Sequence, residues 1–311
     1  MISHQALPLL LKRSLFLSLF MVTICFSSPI QGRECIWTGV ERIIAVGDVH
    51  GDHQQFIKIL RAAKVINKKN DWIAGKTHLV QTGDILDRGP DSRKVMDLLM
   101  KLEKQARAAG GYVHPLIGNH EAMNVCGDLR YVHDQEVAAY GGREALLKAL
   151  SPTGRYGRWI CSHNTVIKIN DVLFVHGGLG PRYARMPLLK INETIRQELS
   201  QPDQSLMVIS KDEAGPLWYR GLVYSEESAL TKLLNPVRKF HQVRRIVVGH
   251  TVSKGGIRLR NNGRVIMIDV GMSKAYGGPA ACLLIEHGQY FAVYPEVIQK
   301  LTTTPETVAV P

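Results

Sequence analysis

Acidic residues are outnumbered, cysteines are few, and no long apolar run interrupts the chain. Each shortage removes a class of function. Lysine and arginine total 39 against 27 aspartates and glutamates, a formal charge of +12. Such a balance favours anionic partners: phosphorylated groups, nucleic acid, or a membrane or bacterial surface. No basic stripe interleaved with aromatics and no nucleic-acid-binding motif is present, so no nucleic acid is expected as a partner. None of the five cysteines has the spacing of a cysteine-based zinc site. No internal repeat or low-complexity tract is visible. The length of 311 residues allows one large domain or two smaller ones.

The N-terminal apolar run, Leu15 to Phe26, is short of the roughly 20 residues that a spanning helix needs. Lys12 and Arg13 precede it, and Ser27, Ser28, Pro29 and Gly32 follow. This is the pattern of a secretory signal peptide over residues 1–32, which places the protein in the secretory pathway, periplasmic or extracellular. The alternative is a membrane anchor through residues 14–27. Removal of 1–32 takes away Lys12 and Arg13 and no acid, which leaves +10 from +12. Cys25 leaves with the signal. Cys35, Cys126, Cys161 and Cys282 remain, and four cysteines allow three pairings. Cys126 with Cys161 is the favoured pair, since the two bracket one segment. Buried free thiols are the alternative.

What the chain has is a set of strand-then-loop blocks centred on Gly118-Asn119-His120-Glu121. Before it stand Gly47-Asp48-Val49-His50-Gly51 and Gly83-Asp84-Ile85-Leu86-Asp87-Arg88-Gly89; after it stand His176-Gly177-Gly178 and Gly249-His250-Thr251. Each follows a short Val/Ile-rich run, the mark of a buried strand entering a glycine-rich turn. The periodicities predict strands over 41–46, 77–82 and 112–117, with helices over 53–66 and 91–108 between them. This β-α-β-α-β order argues for parallel strands with functional loops at their carboxyl ends. Residues 122–163 are polar and helical in pattern and read as an insertion that packs over or beside the site. Its Arg130, His133, Arg143, Arg155 and Arg158 either contact a phosphorylated substrate or form a solvated face. A hairpin is expected at Asn170-Asp171. A helical stretch over 187–241, broken at Gly215–Gly221, precedes a half that reads as largely antiparallel. Residues 300–311 read as a frayed tail.

A pocket lined by Asp48, His50, Asp84, Asn119, His176 and His250 joins carboxylate, imidazole and amide oxygen. That set suits Mn, Fe or Zn better than Ca or Mg. Six ligands exceed what one zinc needs, and one carboxylate can bridge, so two ions are the economical count. Such pairs lie about 3.5–4 Å apart and make hydroxide available as a nucleophile near neutral pH. His120, paired with Asp87, can protonate a leaving oxygen. Arg88 and Arg220 can each grip phosphate oxygens through two parallel N–H groups. The remaining histidines, His53, His78, His114, His163, His241 and His287, are read as structural.

The blocks Gly47–Gly51, Gly83–Gly89 and Gly118–Glu121 resemble the three-part signature of the phosphoprotein phosphatase branch of the calcineurin-like metallophosphoesterases. Leu173–Leu179, Pro216–Gly221, Ile246–Thr251 and Ile268–Gly278 resemble its bacterial-like members, the Shewanella-like protein phosphatases. The resemblance spans residues 43–295. It implies an α/β (α+β) fold: a β-sandwich of two mixed sheets flanked by helices, with a small helical insertion, in a catalytic domain over 33–299. It implies that Asp48, His50 and bridging Asp84 hold one metal ion, and that Asn119, His176 and His250 hold the other. It makes His120 the general acid, oriented by Asp87, and assigns phosphate binding to Arg88 and Arg220, with Tyr276 nearby. The implied function is hydrolysis of phosphoserine, phosphothreonine or phosphotyrosine in proteins by a metal-bridging hydroxide. Met272-Ser273-Lys274-Ala275-Tyr276 replaces the Ser-Ala-Pro-Asn-Tyr of eukaryotic serine/threonine members, which leaves regulatory subunits open. The rival readings are a dinucleotide polyphosphate hydrolase and a non-catalytic phosphate-binding adaptor. Asp87-Arg88-Gly89 and Glu121 argue against the first, and the full ligand set argues against the second.

Overall fold

The computed structural model describes residues 34–201 and 204–302. The expected signal or anchor over 1–32 lies outside the described residues, as does the tail from 303 onward. Among the described residues no helix is long and apolar enough to cross a membrane.

The first half follows the predicted rhythm. After β1 (Ile36–Trp37) come β2 (Arg42–Val46), α1 (His53–Ala62), β3 (His78–Gln81), α2 (Ser92–Ala108) and β4 (Tyr112–Pro115). β2, β3 and β4 pair in parallel, with Ile44 opposite Leu79 and Leu79 opposite Val113. β2 is covered on both faces, so Ile43, Ile44, Ala45 and Val46 are all buried and the run does not alternate. α1 buries Phe56, Ile57, Ile59 and Leu60, and α2 buries Val95, Met96, Leu98, Leu99, Leu102 and Ala106. These are stripes of helical period against the sheet. Truncating one of them, such as Leu99, to alanine is expected to cost about 2–5 kcal/mol.

The inserted segment is helical: α3 (Asn119–Val125), α4 (Asp134–Ala139), α5 (Arg143–Leu150) and α6 (Arg155–Cys161). It is pinned to α2. Asp91, expected at the start of α2, makes no side-chain cap bond there. Glu136 of α4 does so instead, accepting the Arg93 backbone N–H at 2.9 Å, while the Arg93 guanidinium donates to the Ala139 carbonyl at 3.0 Å. An orphan helix-end donor is thereby satisfied from outside the helix.

There follow β5 (Val166–Ile169), β6 (Val172–Val175), α7 (Leu188–Ser200), α8 (Gly221–Tyr224), α9 (Glu227–His241), β7 (Arg245–Val248), β8 (Arg258–Arg260), β9 (Val265–Met267), β10 (Cys282–Glu286), β11 (Gln289–Val293) and β12 (Ile298–Lys300). The Asn170-Asp171 hairpin forms between antiparallel β5 and β6, with Asn170 at φ 54°. Two six-stranded mixed sheets result, in the orders β1-β5-β6-β7-β9-β8 and β12-β11-β10-β2-β3-β4. The largely antiparallel second half is borne out at β5–β6, β8–β9, β10–β11 and β11–β12, while β6, β7 and β9 pair in parallel. The short β8 folds back antiparallel onto the outer edge of β9, and β9 runs parallel to β7. Lys300, expected to begin the tail, closes β12 against β11.

The carboxyl ends of β2, β3 and β4 in one sheet, and of β6, β7 and β9 in the other, each lead into one of the polar blocks. Among the described residues Cys35, Cys126, Cys161 and Cys282 form no disulfide, so the favoured Cys126–Cys161 bond is not formed.

Candidate metal centre

The polar loops are tight because their backbones are unusual. His50 (φ 44°), Asp84 (φ 56°), Asp87 (φ 71°), Arg88 (φ 67°) and His250 (φ 65°) all lie in the left-handed region. Asp and His tolerate it better than most residues, and such strain gathers at functional sites. The flanking glycines allow close approach. A Cβ on Gly118 would lie 2.4 Å from Asp84 Oδ1, and one on Gly249 would lie 2.5 Å from Asp48 Oδ1.

Asp84 sits at the centre. Its carboxylate lies 3.6 Å from His50 Nε2 through Oδ2 and 3.2 Å from His176 Nε2 through Oδ1. It belongs to two separate clusters of donor atoms, one with His50 and His120, the other with His176 and His250. In each cluster the donor atoms lie within 4.8 Å of one another. His176 Nε2 also lies 2.9 Å from Asn119 Oδ1 and 3.1 Å from His250 Nδ1. The far nitrogens are fixed by the backbone: His50 Nδ1 faces the Leu86 carbonyl at 2.9 Å, and His176 Nδ1 faces the Thr82 carbonyl at 2.8 Å. With Nδ1–H donating to those carbonyls, both Nε2 lone pairs face the cluster, as metal-binding imidazoles are usually arranged.

The electrostatics fit cations. Burial pushes Asp48 well up, and neighbouring Asp269 and Asp84 push it further. Burial alone would raise Asp84 too, but His176, His120 and His50 hold it well below the usual range. Burial lowers His50 to about 4 and drives His250 down also, which keeps their lone pairs free. His176 is raised in spite of its burial, because Asp84 favours its charged form. Carboxylates crowded into a buried site with neutral imidazoles are the chemistry that divalent ions satisfy. His250 Nε2 is buried with no hydrogen-bond partner.

Asp48 is turned differently from its neighbours. Both its oxygens accept the His250 backbone N–H, at 3.1 and 3.0 Å. His120 comes closer than its expected role requires, with Nε2 3.9 Å from Asp84 Oδ2. Its Nδ1 is held by Asp87 Oδ2 at 2.5 Å, which leaves Nε2 facing the cluster. Arg88, Arg220, Asn119 and His120 line one cavity of about 490 Å³, walled by Met123, Tyr131 and Trp218. Arg88 lies over the Tyr131 ring at 4.0 Å. Arg220 donates to the His250 carbonyl at 2.9 Å and to Thr251 Oγ1 at 2.8 Å. Tyr276 stands at the mouth, 44% exposed, its ring 5.3 Å from that of His50. All eleven predicted site residues therefore gather at one end of the sheets.

Of the arginines in the insertion, Arg130 reaches the cavity and is paired with Asp128, at 2.6 Å. Arg155 pairs with Asp97, and Arg158 donates to the Thr153 carbonyl. His78 and His114 pair with each other at 3.0 Å on β3 and β4, a structural role as expected. Two further buried acids belong to the site and are absent from the site residues expected from the sequence. Asp269 follows β9, and burial pushes it up to about 6, with Asp84 adding to the shift. Its signal was available in the strand-then-Asp pattern Val265–Gly271. Glu121 accepts four backbone N–H groups, from Asp84, Gly118, Ile85 and Leu86, at 2.7, 2.8, 2.8 and 3.2 Å.

The family model described as calcineurin-like phosphoesterase matches residues 41–254. An uncharacterised protein of Schizosaccharomyces pombe is 39% identical, in an alignment that covers 83% of this chain and 82% of that protein. Shewanella-like protein phosphatase 2 of Arabidopsis thaliana is 30% identical, covering 75% of this chain and 72% of its own. The solved cold-active protein tyrosine phosphatase of a psychrophilic Shewanella superposes with a TM-score of 0.76 at 33% identity, over 86% of this chain and 82% of that one.

Proposed function

The chain belongs to the calcineurin-like phosphoesterase family, and from that premise we propose that it is a metal-dependent protein phosphatase whose substrates include phosphotyrosine. The observation that carries this reading is Asp84, shared by two clusters of buried donors, with the His120–Asp87 pair and two arginines at its border. The substrate class follows the named relatives, a Shewanella-like protein phosphatase and a tyrosine phosphatase.

Asp48, His50 and Asp84 would hold one ion, and Asp84, Asn119, His176 and His250 the other, with Mn, Fe or Zn suited to that donor set. Bound there, the ions supply positive charge for the phosphoryl oxygens and acidify water at the site. The chain supplies the rest. His120 donates its Nε2 proton to the leaving oxygen as the P–O bond breaks, with Asp87 holding the ring through Nδ1. Arg220, anchored through His250 and Thr251, presents a guanidinium to phosphate oxygens, and so does Arg88 on Tyr131. Tyr276 and Trp218 give the mouth aromatic surface for the substrate residue. The N-terminal segment over 1–32 is proposed to send this activity into the secretory pathway, and N-terminal sequencing of the protein made in cells would test it.

The deciding experiment offers phosphotyrosine, phosphoserine and phosphothreonine peptides and a diadenosine polyphosphate to Mn-loaded protein, beside His120→Asn. Release of phosphate from peptides, lowered about 10²–10⁴-fold in the variant, is expected. Activity confined to the dinucleotide would overturn the substrate assignment, and no turnover with metal bound would leave an adaptor.

A further inference from the structure

We propose that Asn124 is a positioning residue for proton donation by His120, acting through Asp87. The proposal rests on the reading of His120 as general acid. Asn124 lies one helical turn beyond His120 on α3, where residues four apart share a face. It is 2% exposed. Its Nδ2 donates one hydrogen to Asp87 Oδ1 and the other to the His120 carbonyl, both at 2.9 Å. Asp87 Oδ2 in turn takes His120 Nδ1. The two carboxylate oxygens thus have separate tasks: one is anchored by the amide and the other aims the imidazole.

That anchor matters because the Asp87 backbone is in the left-handed region, at φ 71°, in a loop rather than a regular element. A carboxylate held at one oxygen can still turn about its Cβ–Cγ bond. Held at both, it fixes the ring plane of His120 and hence the direction of Nε2. The small space that Asn124 shares with Asp87 is lined by Leu86, Met96, Val132, Leu146 and Leu150, with Ser92, Glu136 and Tyr140 as the other polar groups. An amide among them is there for its hydrogen bonds, since a buried polar group without partners is unfavourable.

Misaiming His120 has a chemical signature. In hydrolysis water adds to phosphorus, the ester P–O bond breaks, and the leaving oxygen takes the Nε2 proton; the water's own proton passes to solvent. A p-nitrophenolate leaves without that proton, while a phenolate of ordinary basicity needs it. The test measures kcat and KM of full-length, Mn-loaded protein on p-nitrophenyl phosphate and phenyl phosphate, with bound metal quantified. The variants are Asn124→Leu, which removes both donors, Asn124→Ser, which keeps one, and His120→Asn.

In Asn124→Leu, kcat on phenyl phosphate is expected to fall roughly tenfold or more, against less than about threefold on p-nitrophenyl phosphate, with KM and metal content unchanged. Asn124→Ser should lie between it and the wild type, and it carries the test if the leucine variant does not fold. Adding Asn124→Leu to His120→Asn should change neither rate further. An equal fall on both substrates, or no fall on either, would overturn the proposal. If His120→Asn itself shows no leaving-group dependence, the general-acid reading fails instead, and the two failures are told apart.

Discussion

The Glu121 carboxylate accepts the backbone N–H of Asp84 at 2.7 Å, bridging two adjacent strand-end loops. Its other bonds, to Gly118, Ile85 and Leu86, make it the acceptor for most of the Asp84 turn. Asp84 is held left-handed there, a conformation that costs about 1–3 kcal/mol in a non-glycine residue and persists only when its surroundings fix it. Glu121→Gln would set an amide NH₂ against donors that need an acceptor. The variant is expected to lose about 2–4 kcal/mol of stability by urea unfolding and to bind metal less tightly. Unchanged stability would show that the turn holds itself.

Because Asp84 belongs to both donor clusters, its removal should differ from that of a residue in one. Asp84→Asn is expected to weaken both sites, while His176→Ala spares the His50 side. Metal per chain after gel filtration, by elemental analysis, checks this. Equal retention in the two variants would contradict a shared carboxylate.

Tyr131 ties the insertion to phosphate binding, since Arg88 rests on its ring and the Arg88 backbone N–H donates to its carbonyl at 3.0 Å. Contacts between a cation and an aromatic face are worth about 0.5–1 kcal/mol when partly exposed. Tyr131→Leu should therefore raise KM for a phosphopeptide roughly two- to fivefold, with kcat less affected. Steady-state kinetics on the two proteins decide it.

Glu136 gives a pH signature. Burial pushes its carboxyl up from 4.5 to about 7, against the pull of the backbone N–H groups of Arg93 and Ser92. The folded chain thus keeps a proton that the unfolded chain loses. The stability this contributes is whole below pH 4.5 and falls away as pH rises to about 7. Glu136→Gln keeps an oxygen for Arg93 and has no proton to lose. Its unfolding free energy relative to the wild type, followed by urea unfolding, should climb across that window, to a gain on the order of 2–3 kcal/mol at pH 8. Parallel curves would rule this out.

The site was more legible in the sequence than the sheet that carries it. His50, Asp84, Asn119, His176 and His250 each follow a buried Val/Ile run, so local pattern was enough to name them. Glu121 was seen as part of a motif, but its task of collecting N–H groups from a loop 35 residues away in sequence leaves no local trace. Asp269 stands in the same strand-then-acid context, with no histidine beside it to mark it as a site residue. The parallel pairing of β6 with β7 joins Val172 to Arg245 across a long stretch of chain, and the two-residue β1 is too short for any periodicity. The Asn170-Asp171 hairpin was readable because the left-handed backbone at Asn170 suits that residue type.

Phosphate release should depend on ions held by the buried carboxylates and imidazoles around Asp84. The most direct test is phosphate release from a phosphotyrosine peptide by protein stripped of metal, then given Mn in measured equivalents. Release is expected at background in the stripped protein, with recovery that saturates at about two ions per chain. Undiminished turnover in the stripped protein, or none with two ions bound, would contradict that dependence.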